Sequence, residues 1–226
     1  MSWEQAAALP LVWLTGDLDS CHRSTLLLTD TARTTIANVE PHIENGGRLT
    51  VLGGSSAVGM YALQLASQRG WKVLTTCSSR NTEFVKSMGA TSVVDYKTGD
   101  VAQAVRDFGP AAIIDCVGGT SCIGLAKRYV TIVGDKTGRD SVGGAAIYLW
   151  NPKMVIRTLL GKMGLGESYD CLNFEFRKEW LEETLNFDRS KIVVDSIWGF
   201  DQVKEAFAKL NTGRARGKVV VKVCLE

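Results

Sequence analysis

The stretch at residues 49–70, LTVLGGSSAVGMYALQLASQRG, leaves few folds open to the rest of the chain. Leu49-Thr50-Val51-Leu52 is a short β-type run that meets the small-residue turn Gly53-Gly54-Ser55-Ser56-Ala57-Val58-Gly59. Val58, Tyr61, Ala62 and Leu65 then recur at the i, i+3, i+4, i+7 spacing of one buried helix face. A strand that stops, turns tightly and feeds a helix aims the first N–H groups of that helix back at the turn. Those orphan donors, with the positive end of the helix dipole, hold a phosphate, and small side chains let it approach the backbone. The turn departs from G-x-G-x-x-G at one place: Gly54 and Gly59 hold the outer positions, and Ser56 replaces the middle glycine. A glycine turn of this kind also arises by chance, so its surroundings decide.

Those surroundings alternate strand and helix. Ile36, Val39 and Ile43 space a helix over 32–43 ahead of the turn. After Gly70 come a strand at 71–76, a helix at 81–88 and a strand at 92–95. A helix carrying Val101, Val105 and Phe108 follows, then strands at 111–115 and 128–133. The strand at 111–115 is almost wholly apolar, as expected for one covered on both faces. The repeated strand–helix order predicts an α/β fold, a doubly wound parallel sheet of Rossmann type. Past Gly134 the pattern loosens into a polar, Gly-rich loop at 135–144, the apolar run Ala145-Ala146-Ile147-Tyr148-Leu149-Trp150 and a helix at 152–160. A strand at 169–176 and a helix at 178–185 come next. The end predicts a strand at 192–194, a helix with Val203, Ala206, Phe207 and Leu210 on one face, a basic turn at 213–217 and a strand at 219–223. The expected divisions are 1–31, 32–190 for the dinucleotide-binding domain, and 191–226.

Several function classes drop out on composition. Net charge is +2 over 226 residues, so nothing draws the chain electrostatically to nucleic acid. Glu4 and the absence of a basic first segment argue against a signal or transit segment, and no apolar run reaches bilayer length. The expected location is therefore cytoplasmic. Cys21, Cys77, Cys116, Cys122, Cys171 and Cys224 form no C-x-x-C pair and are expected as reduced thiols. With only His22 and His42 as imidazoles, no cluster has zinc-ligand spacing, and no metal site is expected.

An acid about 20 residues beyond the first glycine would bind the ribose 2′-hydroxyl of NAD. Counting from Gly54 lands among Leu74-Thr75-Thr76-Cys77-Ser78, where there is none, and Ser78-Ser79-Arg80-Asn81 follows. Hydroxyls and a guanidinium suit a 2′-phosphate, which predicts NADPH over NADH. The competing reading makes Ser78 a helix cap and Arg80 a solvated charge.

At this point the chain resembles the medium-chain dehydrogenase/reductase superfamily, in its zinc-free quinone-oxidoreductase-like branch. That branch includes mitochondrial oxidoreductases related to reticulon-4-interacting protein and their fungal relatives, so the resemblance implies a mitochondrial location as the alternative to a cytoplasmic one. The residues carrying the likeness are Gly53 to Gly59 with Gln64-Leu65-Ala66, and Val85-Lys86-Ser87-Met88-Gly89-Ala90 leading to Val94-Asp95-Tyr96. Asp115-Cys116-Val117-Gly118-Gly119 and Gly213-Arg214-Ala215-Arg216-Gly217-Lys218-Val219-Val220 complete it. The resemblance implies that Gly54, Ser55, Ser56, Ala57, Val58 and Gly59 line the pyrophosphate, and that Ser78 and Arg80 face the 2′-phosphate. It implies Tyr96 beside the adenosine end, with a half-buried strand-end tyrosine as the alternative. Cys116, Val117 and Gly118, with Val133 and Gly134, would pass the nicotinamide ribose. Arg214, Ala215 and Arg216 would close over the cofactor, a solvated turn being the alternative.

Two departures from the resemblance shape the expectations. Glu4-Gln5-Ala6-Ala7-Ala8-Leu9-Pro10 resembles the junction that follows the family's GroES-like catalytic domain of about 120 residues, a size ordinary for a domain. That domain is expected to be missing here, leaving 191–226 as a remnant of it and the fold of low stability. Residues 16–30 also interrupt an element that is continuous in the family, as a loop or as translated non-coding sequence. The resemblance implies hydride transfer from NADPH to a quinone or enone. The rival is a catalytically silent NADPH-binding module with a regulatory or interaction role. A short-chain reductase is disfavoured because Val133, not Lys, stands four residues after Tyr129. The run at 145–150 is expected as an edge strand that pairs in a homodimer, or as an edge buried within one chain.

Overall fold

A computed structural model describes Glu4 and residues 28–135, 151–172, 192–212 and 215–223, with backbone only at 28–30. The chain forms two compact units, 31–175 and 1–30 with 176–226. The expected boundary at 190 falls outside the described residues.

In the larger unit, helix α1 (Leu28–Val39) and a 3-10 turn (Glu40–His42) lead to β1 (Arg48–Leu52). Then follow α2 (Ala57–Gln68), β2 (Lys72–Cys77), α3 (Thr82–Ser87), β3 (Ser92–Asp95), α4 (Val101–Phe108), β4 (Ala112–Asp115) and β5 (Arg128–Thr131). Helix α5 (Pro152–Lys162) and strand β6 (Ser168–Cys171) complete the unit. The six strands form one parallel sheet in the order β3-β2-β1-β4-β5-β6. Its central strands are buried along nearly their whole length, because crossovers cover both faces. Leu52, Leu74, Ile113, Tyr129 and Tyr169 pack with Val105 of α4 and Met154 of α5 on one face. The opposite set, alternating with these along each strand, includes Thr75, which lies near Leu63 of α2. The sheet is doubly wound as expected, with 116–127 crossing from β4 to β5 through turns whose Cys122, Ile123 and Leu125 join the core.

The elements differ from expectation where side chains take over backbone hydrogen bonding. β5 stops at Thr131 rather than Val133, because the Val133 and Gly134 N–H groups turn back to donate to Thr131 Oγ1 at 3.2 and 3.0 Å. The sixth strand is Ser168–Cys171, whose buried Tyr169 stacks on Tyr129 with ring centroids 5.7 Å apart. The runs at 145–150 and 178–185 lie outside the described residues.

In the smaller unit β7 (Val194–Gly199), α6 (Val203–Asn211) and β8 (Lys218–Lys222) form a βαβ crossover with its two strands parallel. β7 begins later than the expected 192–194 and runs further, past an irregularity between Val194 and Ser196. Asp195, at that irregularity, accepts the Arg216 N–H at 2.7 Å. The helix face expected to be buried is not: Ala206 is, while Phe207 and Leu210 are exposed.

Candidate cofactor-binding site

The strand order reverses between β1 and β4: the chain leaves β1 toward β2 and leaves β4 toward β5. Ligands in open α/β sheets bind in the crevice outside the carboxyl ends of such a pair. The glycine turn stands there. Gly53 N–H donates to Thr76 Oγ1 at 2.8 Å and Gly54 N–H to the Thr76 carbonyl at 3.0 Å, so the turn is lashed to the end of β2. Gly53 has φ +83°, and a Cβ there would lie 2.3 Å from Val117 Cγ1, which brings the β1 turn against the β4 loop. A Cβ on Gly54 would meet Thr75 Oγ1 at 2.1 Å, and one on Gly59 the Gly53 carbonyl at 2.3 Å. The two outer glycines are thus set by close packing.

Ser56, standing at the middle glycine of the motif, is the N-cap of α2. Its Oγ accepts the Gly59 N–H at 3.0 Å. The Cys116 thiol at the end of β4 is buried, which pushes its pKa far up. The Ser55, Ala57 and Val58 N–H groups have no hydrogen-bond partner among the described residues. Orphan first-turn amides beside a half-buried Ser55-Ser56-Ala57 edge fit a pyrophosphate. The expected residues Gly54 to Gly59, Cys116 and Val117 therefore meet at one crevice.

The other expected residues sit at neighbouring strand ends. Ser78 is buried just after β2 and precedes a 3-10 turn without a side-chain cap bond, so it does not cap by its hydroxyl. Arg80 is exposed on that turn. Tyr96, just after β3, is 57% exposed rather than half-buried, and its N–H donates to the Cys77 carbonyl at 3.3 Å. Arg214 lies outside the described residues; Ala215 and Arg216 belong to the smaller unit.

Two carboxylates were missed as site residues. Asp95 at the tip of β3 accepts the Ser79 N–H at 2.8 Å and the Lys97 N–H at 2.9 Å, which holds its carboxyl below the usual range. Asp115 at the end of β4 is fully buried. Its Oδ1 accepts from Val117 and Gly118 N–H at 3.0 and 2.8 Å, and its Oδ2 accepts the Thr131 hydroxyl at 3.0 Å. Burial pushes its pKa up against the pull of these donors. The signal was available in sequence: a lone acid closing an apolar strand needs donors. A separate concavity of about 490 Å³ lies at the opposite end of the sheet, lined by Glu44, Arg48, Lys72, Gly109 and Lys127 among others.

Residues 88–221 match the zinc-binding dehydrogenase family model, more than half of the chain. The chain belongs to this family, within the medium-chain dehydrogenase/reductase superfamily. It is 32% identical over 195 residues to the mitochondrial NAD(P)H oxidoreductase RTN4IP1 of Mus musculus, covering 79% of this chain and 48% of that protein. It is 29% identical over 194 residues to the trans-enoyl reductase pgmF of Aspergillus terreus, covering 79% and 52%. The quinone oxidoreductase structure from Coxiella burnetii superposes with a TM-score of 0.69 at 25% identity, over 88% of this chain and 59% of that one. The chain spans about half the length of the curated relatives it matches. Among the described residues, no group of three or more His, Cys, Asp or Glu is placed to hold a metal ion. Among the described residues, no helix is long and apolar enough to cross a membrane.

Proposed function

We propose that this chain binds NADPH at the β1/β4 crevice and serves an oxidoreductase that transfers a hydride to a quinone or enone acceptor. The observation that carries the reading is the set of unpartnered amides at Ser55, Ala57 and Val58, opening between two strand ends at the switch point. Relatives named as an NAD(P)H oxidoreductase and a trans-enoyl reductase, and a quinone oxidoreductase of the same fold, support the acceptor class. When bound, the reduced nicotinamide supplies the hydride. The residues of this chain hold and orient the dinucleotide: amides on the diphosphate, Ser78 and Arg80 toward the 2′-phosphate, and the loops after β4 and β5 along the nicotinamide ribose.

A second reading is binding without turnover. It is favoured by the side chains at the crevice: Val117 is apolar, the Ser56 hydroxyl is engaged in capping α2, and burial pushes the Cys116 thiol's pKa up, away from proton transfer. Titrating NADPH and NADH, then following NADPH oxidation with a panel of quinones and enals, separates the two. The expected result is tighter NADPH binding with turnover of at least one acceptor. Binding without turnover selects the second reading, and tighter NADH binding overturns the 2′-phosphate assignment. An Arg80→Ala variant is expected to weaken NADPH about tenfold, the scale of one hydrogen bond to a charged group, and to leave NADH unchanged.

A further inference from the structure

We propose that Asp115 is a positioning residue that fixes both loops of the nicotinamide end through one carboxylate. The inference rests on the NADPH reading above. Oδ1 holds the β4 loop directly through the Val117 and Gly118 N–H groups. Oδ2 holds the β5 loop at one remove: Thr131 donates its only hydroxyl proton to Asp115, which leaves Oγ1 to accept the Val133 and Gly134 N–H groups. Two oxygens thereby set four backbone donors on two adjacent strand ends.

The direction of every bond matters. An ionised carboxylate only accepts, and here each neighbour donates. Asp115 and Thr131 are 0% and 1% exposed, and a space that needed only filling would take an apolar side chain at less cost. In Asp115→Asn the amide oxygen can still receive the Val117 and Gly118 N–H groups. Its NH2 then faces Thr131 Oγ1, which already accepts two N–H groups and has nowhere left to send its own proton. The β5 loop is therefore the part that loosens. The β1 turn keeps its anchors on Thr76, which Asp115 does not touch.

That asymmetry gives a readout a general loss of stability would not produce. The full chain and Asp115→Asn are titrated with NADPH, following nicotinamide fluorescence, and with 2′,5′-ADP, which carries only the adenosine half. Asp115→Asn is expected to weaken NADPH about tenfold, as for loss of a charged hydrogen-bond partner, and to move 2′,5′-ADP less than about twofold. The fluorescence of bound nicotinamide is expected to fall toward that of free NADPH. Thr131→Val, which cuts only the β5 branch, is expected to show the same split at about threefold, and it carries the test if Asp115→Asn does not fold. Equal weakening of both ligands, or no change in either, overturns the inference while leaving the NADPH reading intact. An unaltered chain that binds neither ligand overturns the NADPH reading, and this inference with it.

Discussion

Asp95 shows how a single half-buried carboxylate shapes a loop that composition makes look purely cationic. It takes two backbone N–H groups, one from the Ser78–Arg80 segment and one from Lys97, and these bonds hold its carboxyl below the usual range despite some burial. For an acid whose folded pKa is depressed, the stability it contributes is present above its ordinary pKa of about 4. That contribution is lost as pH falls through the lower folded value. Asp95→Asn is therefore expected to melt below the unaltered chain at pH 6, with the gap closing toward pH 2. Melts followed by circular dichroism across that range check this, and a gap independent of pH would assign the loss to something other than ionisation. The sequence showed Ser78 and Arg80 as candidates because their types suit a phosphate. It did not show Asp95 beside them, since a contact spanning 16 residues depends on how β3 registers on β2.

The strand–turn–helix element was the most legible part of the chain, and packing explains why. Gly54 and Gly59 were placed by motif spacing, and the structure gives each a steric reason. Gly59 has ordinary backbone angles, so the constraint is space: a methyl there would press on the Gly53 carbonyl at 2.3 Å and on Gly54 Cα at 2.9 Å. Backbone cannot rotate away as a side-chain tip can. Gly59→Ala is expected to destabilise by about 1–3 kcal/mol, the range for overpacking at a tight contact, measured by urea denaturation. It should also move the α2 amides and weaken NADPH more than its stability loss explains. Elements whose ends depend on side chains were less legible. Periodicity carried β5 to Val133, yet Thr131 Oγ1 captures the next backbone donors and ends the ladder. Asp195 and Ser196 likewise interrupt the apolar β-type run in the sequence, which hid how far β7 extends beyond Val194.

At the scale of the molecule, two places compete for an anionic ligand, and they sit at opposite ends of one sheet. The concavity beside Arg48, Lys72 and Lys127 offers exposed positive charge, with Arg48 set 6.0 Å over the Phe108 ring. The β1/β4 crevice offers less charge but fixed donors: amides without partners, a turn tied to Thr76, and two loops gathered on Asp115. Exposed lysines and arginines attract any polyanion and lose that attraction within about a Debye length as salt rises, whereas oriented amides at a helix start select by shape. The sheet order alone foretold the second place, because parallel strands diverging from β1 and β4 open a gap there whatever side chains line it. Hydrogen exchange on the full chain, with and without NADPH at moderate salt, decides between the two ends. NADPH at a hundredfold its dissociation constant should add about 2.7 kcal/mol to the stability of the unit that binds it. The added protection is expected at Ser55 to Val58, Val117 to Gly118 and Val133 to Gly134. Protection at Gly46 to Arg48 and Lys72 instead, fading with added salt, would mean that charge rather than the glycine turn receives the ligand.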